Sequence, residues 1–145
     1  MIVAALLLAV QAAPQPSPPP TPTVSTAQTA TVPALPADWS QLPVPRWKVP
    51  PAYDPEMARF VVDEFKAGHC ATAQEEGHES RVEVTVALLV GPAGQVRTTV
   101  PRAIGCPTVE QYTAGLVSRA ARENIQPGEG DASWYRASVT FTWTR

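Results

Sequence analysis

Two cysteines and two histidines are the residues whose chemistry could serve a reaction or bind a metal ion. Cys70 and Cys106 are the only cysteines, and His69 and His78 lie close to the first of them. A zinc site needs three or four ligands in a tetrahedral array. His69, Cys70 and His78, joined by Glu75 or Cys106, match no standard zinc spacing. We therefore expect solvated loop histidines, with no metal and no cofactor.

A cysteine nucleophile would need a base and a group that orients the base. His69 is directly adjacent to Cys70 in the sequence, and direct neighbours seldom reach that geometry. The chain has no Gly-x-Ser-x-Gly motif, no phosphate-binding loop and no obvious carboxylate pair. We interpret the stretch that contains Glu75, Glu76 and Glu79 as a solvated acidic loop. The sequence thus predicts that the protein is not an enzyme, and a small metal-binding or enzymatic domain is the less favoured alternative.

The N-terminus resembles an export signal. Ile2 to Val10 is an apolar run, too short to span a bilayer but suited to the core of a signal peptide. Val10 and Ala12 offer residues suitable for cleavage after Ala12. Ile2 follows Met1 directly, without the usual Lys or Arg, so either the signal is atypical or the true start lies upstream. We expect residues 1–13 to be a signal peptide or short anchor, which implies a periplasmic protein that could associate with the membrane through its N-terminus.

An exported chain meets an oxidising compartment, where an even number of cysteines suggests a disulfide. Cys70 follows the first predicted helix and Cys106 precedes the second. We expect a Cys70–Cys106 disulfide that joins these two helix ends. The alternative is two separate buried thiols.

Residues 14–50 form a proline-rich segment. Eleven of the seventeen prolines lie between Pro14 and Pro50, and the first charged residue of the chain is Asp38. Proline fixes φ and donates no hydrogen bond, so regular helix or sheet cannot persist there. We predict a disordered Pro-rich linker; a polyproline ligand is the alternative. Because a tryptophan side chain is rarely left fully exposed to solvent, we expect Trp39 or Trp47 to pack onto the folded domain at 51–145.

The charge pattern limits the classes of partner that we expect. The formal net charge is −2, and the basic residues are scattered singly. Nucleic-acid binding usually shows a basic patch or stripe, so we expect no nucleic-acid partner.

Residues 51–145 show an α-β-β-α-β pattern. Asp54, Pro55 and Glu56 favour a helix start, and Gly68 favours its end. Strands are predicted at 81–90, 95–104 and 134–143 from alternating apolar residues, with a hairpin turn at 91–94. A second helix opens near Pro107, capped by Cys106 or Thr108, with an apolar side formed by Val109, Tyr112, Leu116, Ala120 and Ala121. The expected fold class is α+β: a small antiparallel three-stranded sheet packed by two helices.

These elements resemble the C-terminal domain of TonB-like energy transducers. The likeness covers roughly Val49 to Trp143. It includes Tyr53-Asp54-Pro55 at the entry, the valine-rich strand 82–90 and the Gly94-Gln95-Val96 turn. The helix 108–125 and the aromatic strand 138–143 complete it. The order of apolar N-terminus, proline-rich spacer and small domain is similar too.

The resemblance implies a non-catalytic module that binds a segment of an outer-membrane transporter, or another envelope protein, by strand addition. Such a role would be linked to transmembrane transport. The last strand is the expected edge, with Arg136, Ser138, Thr140 and Thr142 as partner-binding residues. A stand-alone secreted structural or regulatory domain, able to form a homodimer, is the alternative.

Overall fold

A computed structural model describes residues 31–70 and 73–144. The expected signal segment at 1–13 and the first part of the spacer lie outside the described residues. A short 3-10 turn, Pro55–Met57, leads into α1, Ala58–Lys66. The chain then forms β1 (Gln74–Glu76), β2 (Glu79–Val90), β3 (Val96–Pro101), α2 (Pro107–Ala121) and β4 (Ser133–Thr144).

The four strands form one antiparallel sheet with β2 at its centre. β4 pairs with β2 along its whole length, while β1 and β3 share the other side of β2. The predicted α+β class is confirmed, and β1 adds a short strand. The sequence did not predict β1 because its residues lie in a polar stretch without alternation. Gly77, at φ +61°, makes the tight turn between β1 and β2.

Both helices pack on one face of the sheet. Alternate β2 residues from Val82 to Val90 point to this face and are buried. Val61 of α1 and Val117 of α2 are fully buried against them. The predicted apolar side of α2 is shifted, because Thr113 is also fully buried. Its hydroxyl donates to the carbonyl of Val109 at 2.7 Å, which satisfies the polar group inside the core.

The predicted ends of the first helix and of the hairpin are confirmed. Asp54 accepts a hydrogen bond from the backbone N–H of Glu56 at 2.8 Å, and Gly68 follows the helix at φ +74°. Gly94 adopts φ +79° in the hairpin turn. A Cβ at Gly94 would collide with the carbonyl oxygen of Ile125, so the turn requires glycine here.

The cap of α2 differs from the prediction. Cys106 occupies the N-cap position, but its side chain makes no capping bond. Glu110 caps instead: its carboxylate accepts from the N–H groups of Ile104 at 2.7 Å and Cys106 at 3.1 Å. Thr108 lies inside the helix and donates to Glu64 of α1. A carboxylate near the positive helix end is also favoured by the helix dipole.

The Cys70–Cys106 disulfide is present, with the two Cα atoms 4.4 Å apart and a sequence separation of 36. It joins the residues after α1 to the start of α2. Closing a loop of this size contributes roughly 4 kcal/mol in the chain-entropy model.

Residues 33–48, which we call the strap, lie against the domain. Trp39 is only 8% exposed, and the indole N–H of Trp134 donates to the carbonyl of Pro33 at 2.7 Å. Ala87 and Leu89 lie on the face opposite the helices, yet they are 0% and 2% exposed. The expectation that a spacer tryptophan packs onto the domain is confirmed. The predicted linker therefore includes a stretch that contacts the domain.

The strap ends beside α2. The N–H of Lys48 donates to the carbonyl of Asn124 at 2.7 Å, and the N–H of Gln126 donates to the carbonyl of Arg46 at 2.8 Å. Within the described ranges, no helix is both long and apolar enough to cross a membrane.

Candidate functional site: the open edge of β4

The outer edge of β4 points its backbone groups away from the sheet in a fixed alternation. The N–H of Arg136 donates to the carbonyl of Pro43 in the strap at 2.9 Å, so it points away from β2. The β2–β4 register runs without a shift from Ser133 to Thr144. Because successive residues of a strand direct their N–H and C=O groups to opposite sides, Ser138, Thr140 and Thr142 also point outward.

These outward groups are unoccupied along much of the strand. Among residues 31–70 and 73–144, no hydrogen bond from another element reaches the backbone of Ser138, Thr140 or Thr142. Each of the three residues therefore offers one N–H donor and one C=O acceptor. The side chains of all three are exposed, whereas the intervening Val139 and Phe141 are buried in the core. The core thus holds the strand in place while its edge stays open.

The two edges of the sheet differ in protection. β3, at the opposite edge, has only six residues, ends in Pro101 and carries a register irregularity against β2. Short length, proline and bulges are the usual devices that prevent edge-to-edge pairing. The β4 stretch 138–144 contains no proline and no charged residue, and its register is regular. Among the described strands, β4 therefore presents the edge best suited to accept another strand.

A groove runs beside this open edge. Its wide end is a pocket of about 370 Å³ next to Ala137, and its narrow end is a pocket of about 170 Å³ next to Phe141. Tyr53 lines both pockets, and its burial raises the pKa of its hydroxyl. The wide pocket is also lined by Val44, Trp47 and Pro51, and by the polar residues Glu83, Arg136 and Ser138. The narrow pocket is also lined by Asp54, Pro55 and Ala58.

The structure separates Arg136 from the other three predicted binding residues. Its N–H is taken by Pro43, and its Nε donates to the carbonyl of Leu42 at 2.9 Å. Arg136 therefore anchors the strap at the point where the open edge begins. Ser138, Thr140 and Thr142 lie together on the open stretch, as the sequence placed them.

The groove walls were not predicted. Tyr53 and Trp47 precede the first helix, and the pattern of strands carries no information on which loop residues flank an edge. The aromatic pair in an otherwise proline-rich stretch was the available signal, since such side chains tend to pack against a neighbouring surface.

Charged side chains of both signs lie beside the edge. Arg136 and Glu83 both line the wide pocket, and Glu83 also forms an ion pair with Arg81 at 3.7 Å. Asp54 lines the narrow end. Along the described part of β4, the charges therefore do not separate into a basic and an acidic end.

A second polar cluster lies beside the disulfide. The carboxylate of Glu64 accepts from the hydroxyl of Thr108 at 2.5 Å and lies 3.2 Å from Nδ1 of His69. The hydroxyl of Thr108, more than His69, lowers the pKa of Glu64. The carboxylate stands between the hydroxyl and the imidazole, so the histidine has no contact through which to activate the hydroxyl. The cluster joins α1 to α2.

The residues considered for a zinc site are not assembled. Both sulfur atoms are in the disulfide, so neither cysteine offers a thiolate. No group of three or more His, Cys, Asp or Glu side chains able to hold a metal ion occurs within residues 31–70 and 73–144.

The open edge and its groove are thus the arrangement most able to act on another molecule, and what they can do is bind an extended chain. No protein-family model, no curated protein and no solved structure matches this chain.

Proposed function

We propose that the protein is a non-catalytic interaction module that binds an extended segment of another envelope protein by adding it as a strand to β4. The observation that supports this proposal is the unprotected edge of β4. There the backbone groups of Ser138, Thr140 and Thr142 point outward without a hydrogen-bond partner among the described residues. Strand addition would satisfy these groups with main-chain hydrogen bonds, while side-chain pockets supply selectivity.

The proposed setting is the periplasm, with an outer-membrane transporter as the partner and a role in transmembrane transport. The disulfide is compatible with an oxidising compartment. The resemblance to TonB-like C-terminal domains supports the same assignment, since the last strand is the edge that the resemblance implies. The proline-rich segment before the strap would serve as the spacer to an N-terminal anchor.

A proline at Thr140 tests strand addition directly. The N–H of Thr140 points away from β2, so Thr140→Pro removes a donor from the open edge without removing a β2–β4 hydrogen bond. The probe is a phage-displayed library of random peptides selected on the immobilised wild-type protein. Selected peptides should bind Thr140→Pro at least tenfold more weakly, as measured by fluorescence anisotropy.

Two variants serve as controls. Thr140→Val keeps the backbone donor and the branched shape, so it should bind the selected peptides as the wild type does. Thr99→Pro places the proline on the outward side of β3 and should leave binding unchanged. Full peptide affinity in a Thr140→Pro protein that melts like the wild type would refute strand addition to β4.

A further inference from the structure

The strap is held to the domain in two different ways along its length. At its end the N–H of Lys48 donates to the carbonyl of Asn124 at 2.7 Å. The carbonyl of Arg46 accepts from the N–H of Gln126 at 2.8 Å, so backbone hydrogen bonds run in both directions. The earlier part, residues 33–43, which we call the arm, is not paired as a strand. The end of the strap is therefore fixed in the fold, whereas the arm lies on the domain like a separate segment.

The hydrogen bonds between the arm and the domain have one direction. Within residues 31–70 and 73–144, each of them runs from a donor of the domain to a carbonyl of the arm. The indole N–H of Trp134 donates to Pro33 at 2.7 Å. Arg136 donates its backbone N–H to Pro43 and its Nε to Leu42, both at 2.9 Å. Because proline lacks an N–H but keeps its carbonyl, a surface that supplies only donors loses no hydrogen bond when its ligand is rich in proline.

One aromatic side chain anchors the arm. Trp39 is buried, whereas its neighbours Asp38 and Ser40 are exposed. The guanidinium of Arg102 lies 5.5 Å from the centre of the Trp39 ring, a favourable cation–π contact. The N–H and hydroxyl of Ser40, and then the charge of Arg102, lower the pKa of Asp38. The domain therefore favours a tryptophan that follows an acidic residue.

We infer that the outer face of the sheet around Ala87 and Leu89, which we call the seat, binds a proline-rich segment of another protein, and that the arm is a resident segment which this ligand displaces. The ligand carries a tryptophan after an acidic residue, with prolines on both sides. Surfaces lined by aromatic side chains are recurrent receptors for proline-rich segments. The seat is distinct from the open stretch of β4, because the backbone groups of Ser138, Thr140 and Thr142 do not hold the arm.

Release of the arm leaves few polar groups of the domain without a partner. The arm donates no hydrogen bond to the described part of the domain, so no carbonyl there loses a donor. Trp134 and Arg136 are half-buried, so water can accept their hydrogen bonds. The main cost is exposure of Ala87, Leu89 and Trp39, which are buried in the resting chain. A ligand with its own tryptophan covers the seat again and offsets this cost.

Another protein is a better source of this ligand than a second copy. The tethered arm competes at an effective concentration on the order of mM. A second copy carries the same arm on its own seat, so exchange between copies gains no contact. A partner that is also held at another point of the domain reaches a comparable effective concentration and can displace the arm.

The probe is a synthetic peptide with the sequence of residues 31–45, added to the full chain. Binding is measured from the NMR signals of the Ala87 and Leu89 amides. Trp39→Ala loosens the arm, so this variant should bind the peptide about tenfold or more tightly than the wild type does. A peptide with Ala in place of its Trp should bind the variant about tenfold or more weakly, because the aromatic surface is no longer buried.

The wild-type chain provides a measurement that does not depend on the stability of a variant. With fluorotryptophan incorporated, fluorine NMR reports on Trp39 separately from the other tryptophans. Excess peptide at concentrations above the order of mM should move the Trp39 signal to the position of a solvent-exposed tryptophan. The signal of Trp143, which packs against Phe65 of α1, should stay in place.

Matched variants test the contacts that define the seat. Val32→Ala, at a residue that is 60% exposed, should bind the peptide as the wild type does. Trp134→Phe in the Trp39→Ala background keeps an aromatic ring but removes the N–H that donates to Pro33, and should weaken binding about fivefold. Asn in place of the peptide's Asp should also weaken binding, and this effect should shrink as salt is added.

The outcomes separate the seat from the other possible sites. An unmoved Trp39 signal in the wild type, or no binding by a folded Trp39→Ala protein, would show that the arm is a permanent part of the fold and overturn the inference. Thr140→Pro should leave peptide binding unchanged, and a loss of binding in this variant would place the peptide on β4 and refute the seat. A concentration-dependent dimer in sedimentation, dispersed by Trp39→Ala, would show that arms exchange between copies and refute a separate partner.

Discussion

Single polar side chains determine how the two helices meet. Glu64 of α1 accepts the hydroxyl of Thr108 in α2, and Glu110 holds the backbone that leads into α2. The hydroxyl of Tyr112 donates to the carbonyl of Met57 at 3.1 Å. The sequence shows that these residues are polar, but Glu64 and Thr108 are 44 positions apart. Their pairing depends on tertiary structure, which local patterns cannot predict.

Replacing Thr108 by Val should reduce stability only where Glu64 is ionised. The Thr108 hydroxyl, followed by His69, holds the pKa of Glu64 below its ordinary value of 4.5. A lowered folded-state pKa stabilises the fold above the unfolded-state value, and this contribution is lost as the pH falls through the folded-state pKa. The wild type should therefore exceed Thr108→Val in unfolding free energy at neutral pH, and the difference should shrink below that ordinary value.

Urea unfolding at a series of pH values measures this difference. Thr98→Val, which changes an exposed threonine of β3, controls for the loss of a hydroxyl. A difference that stays constant across the acid range would show that Thr108 acts without the charge of Glu64.

At the scale of the elements, the alternation of apolar residues predicted the strands. It did not show which edge of the sheet stays open. The alternating residues of β2 and β4 predicted both strands and the face that meets the helices. Which sheet edge remains open depends on where the strap crosses β4, at Arg136. That contact joins residues 93 positions apart (136 − 43), so no local pattern reports it. β1 has no apolar alternation and pairs with β2.

The alternation along β4 predicts a pattern of amide hydrogen exchange. The N–H groups of Val139 and Phe141 point to β2 and should exchange slowly, whereas those of Ser138, Thr140 and Thr142 should exchange fast. The N–H of Arg136 should be protected although it lies on the same outward side, because it donates to Pro43.

Exchange measured residue by residue with NMR tests this pattern in the protein without a partner. Slow exchange at all three outward residues would mean that the edge is already covered, which contradicts an open binding site. Fast exchange at Arg136 would place the strap away from β4.

For the whole molecule, composition described the spacer but missed its contact with the domain. Proline correctly predicted the absence of regular structure in the described part of the spacer, since the strap forms only an isolated bridge between Trp47 and Ile125. A signal for the contact was nevertheless present in β2. Ala87 and Leu89 make the second half of β2 apolar on both faces, and such a strand is normally covered on both sides. The strap provides the second cover.

A chain that begins at Pro51, the domain boundary expected from sequence, should therefore be less stable than the full chain. Removing the strap exposes Ala87 and Leu89, which are almost fully buried, and deletes the buried Trp39. Burial of this kind contributes about 2–4 kcal/mol. Trp39→Ala in the full chain should reproduce much of the loss, whereas Val32→Ala, at a residue that is 60% exposed, should not. The midpoints of urea unfolding measure the stability of the shortened chain and of both variants. Equal stability of the shortened chain would show that the strap is a loose covering, and the wide pocket that it walls would then lack a fixed shape.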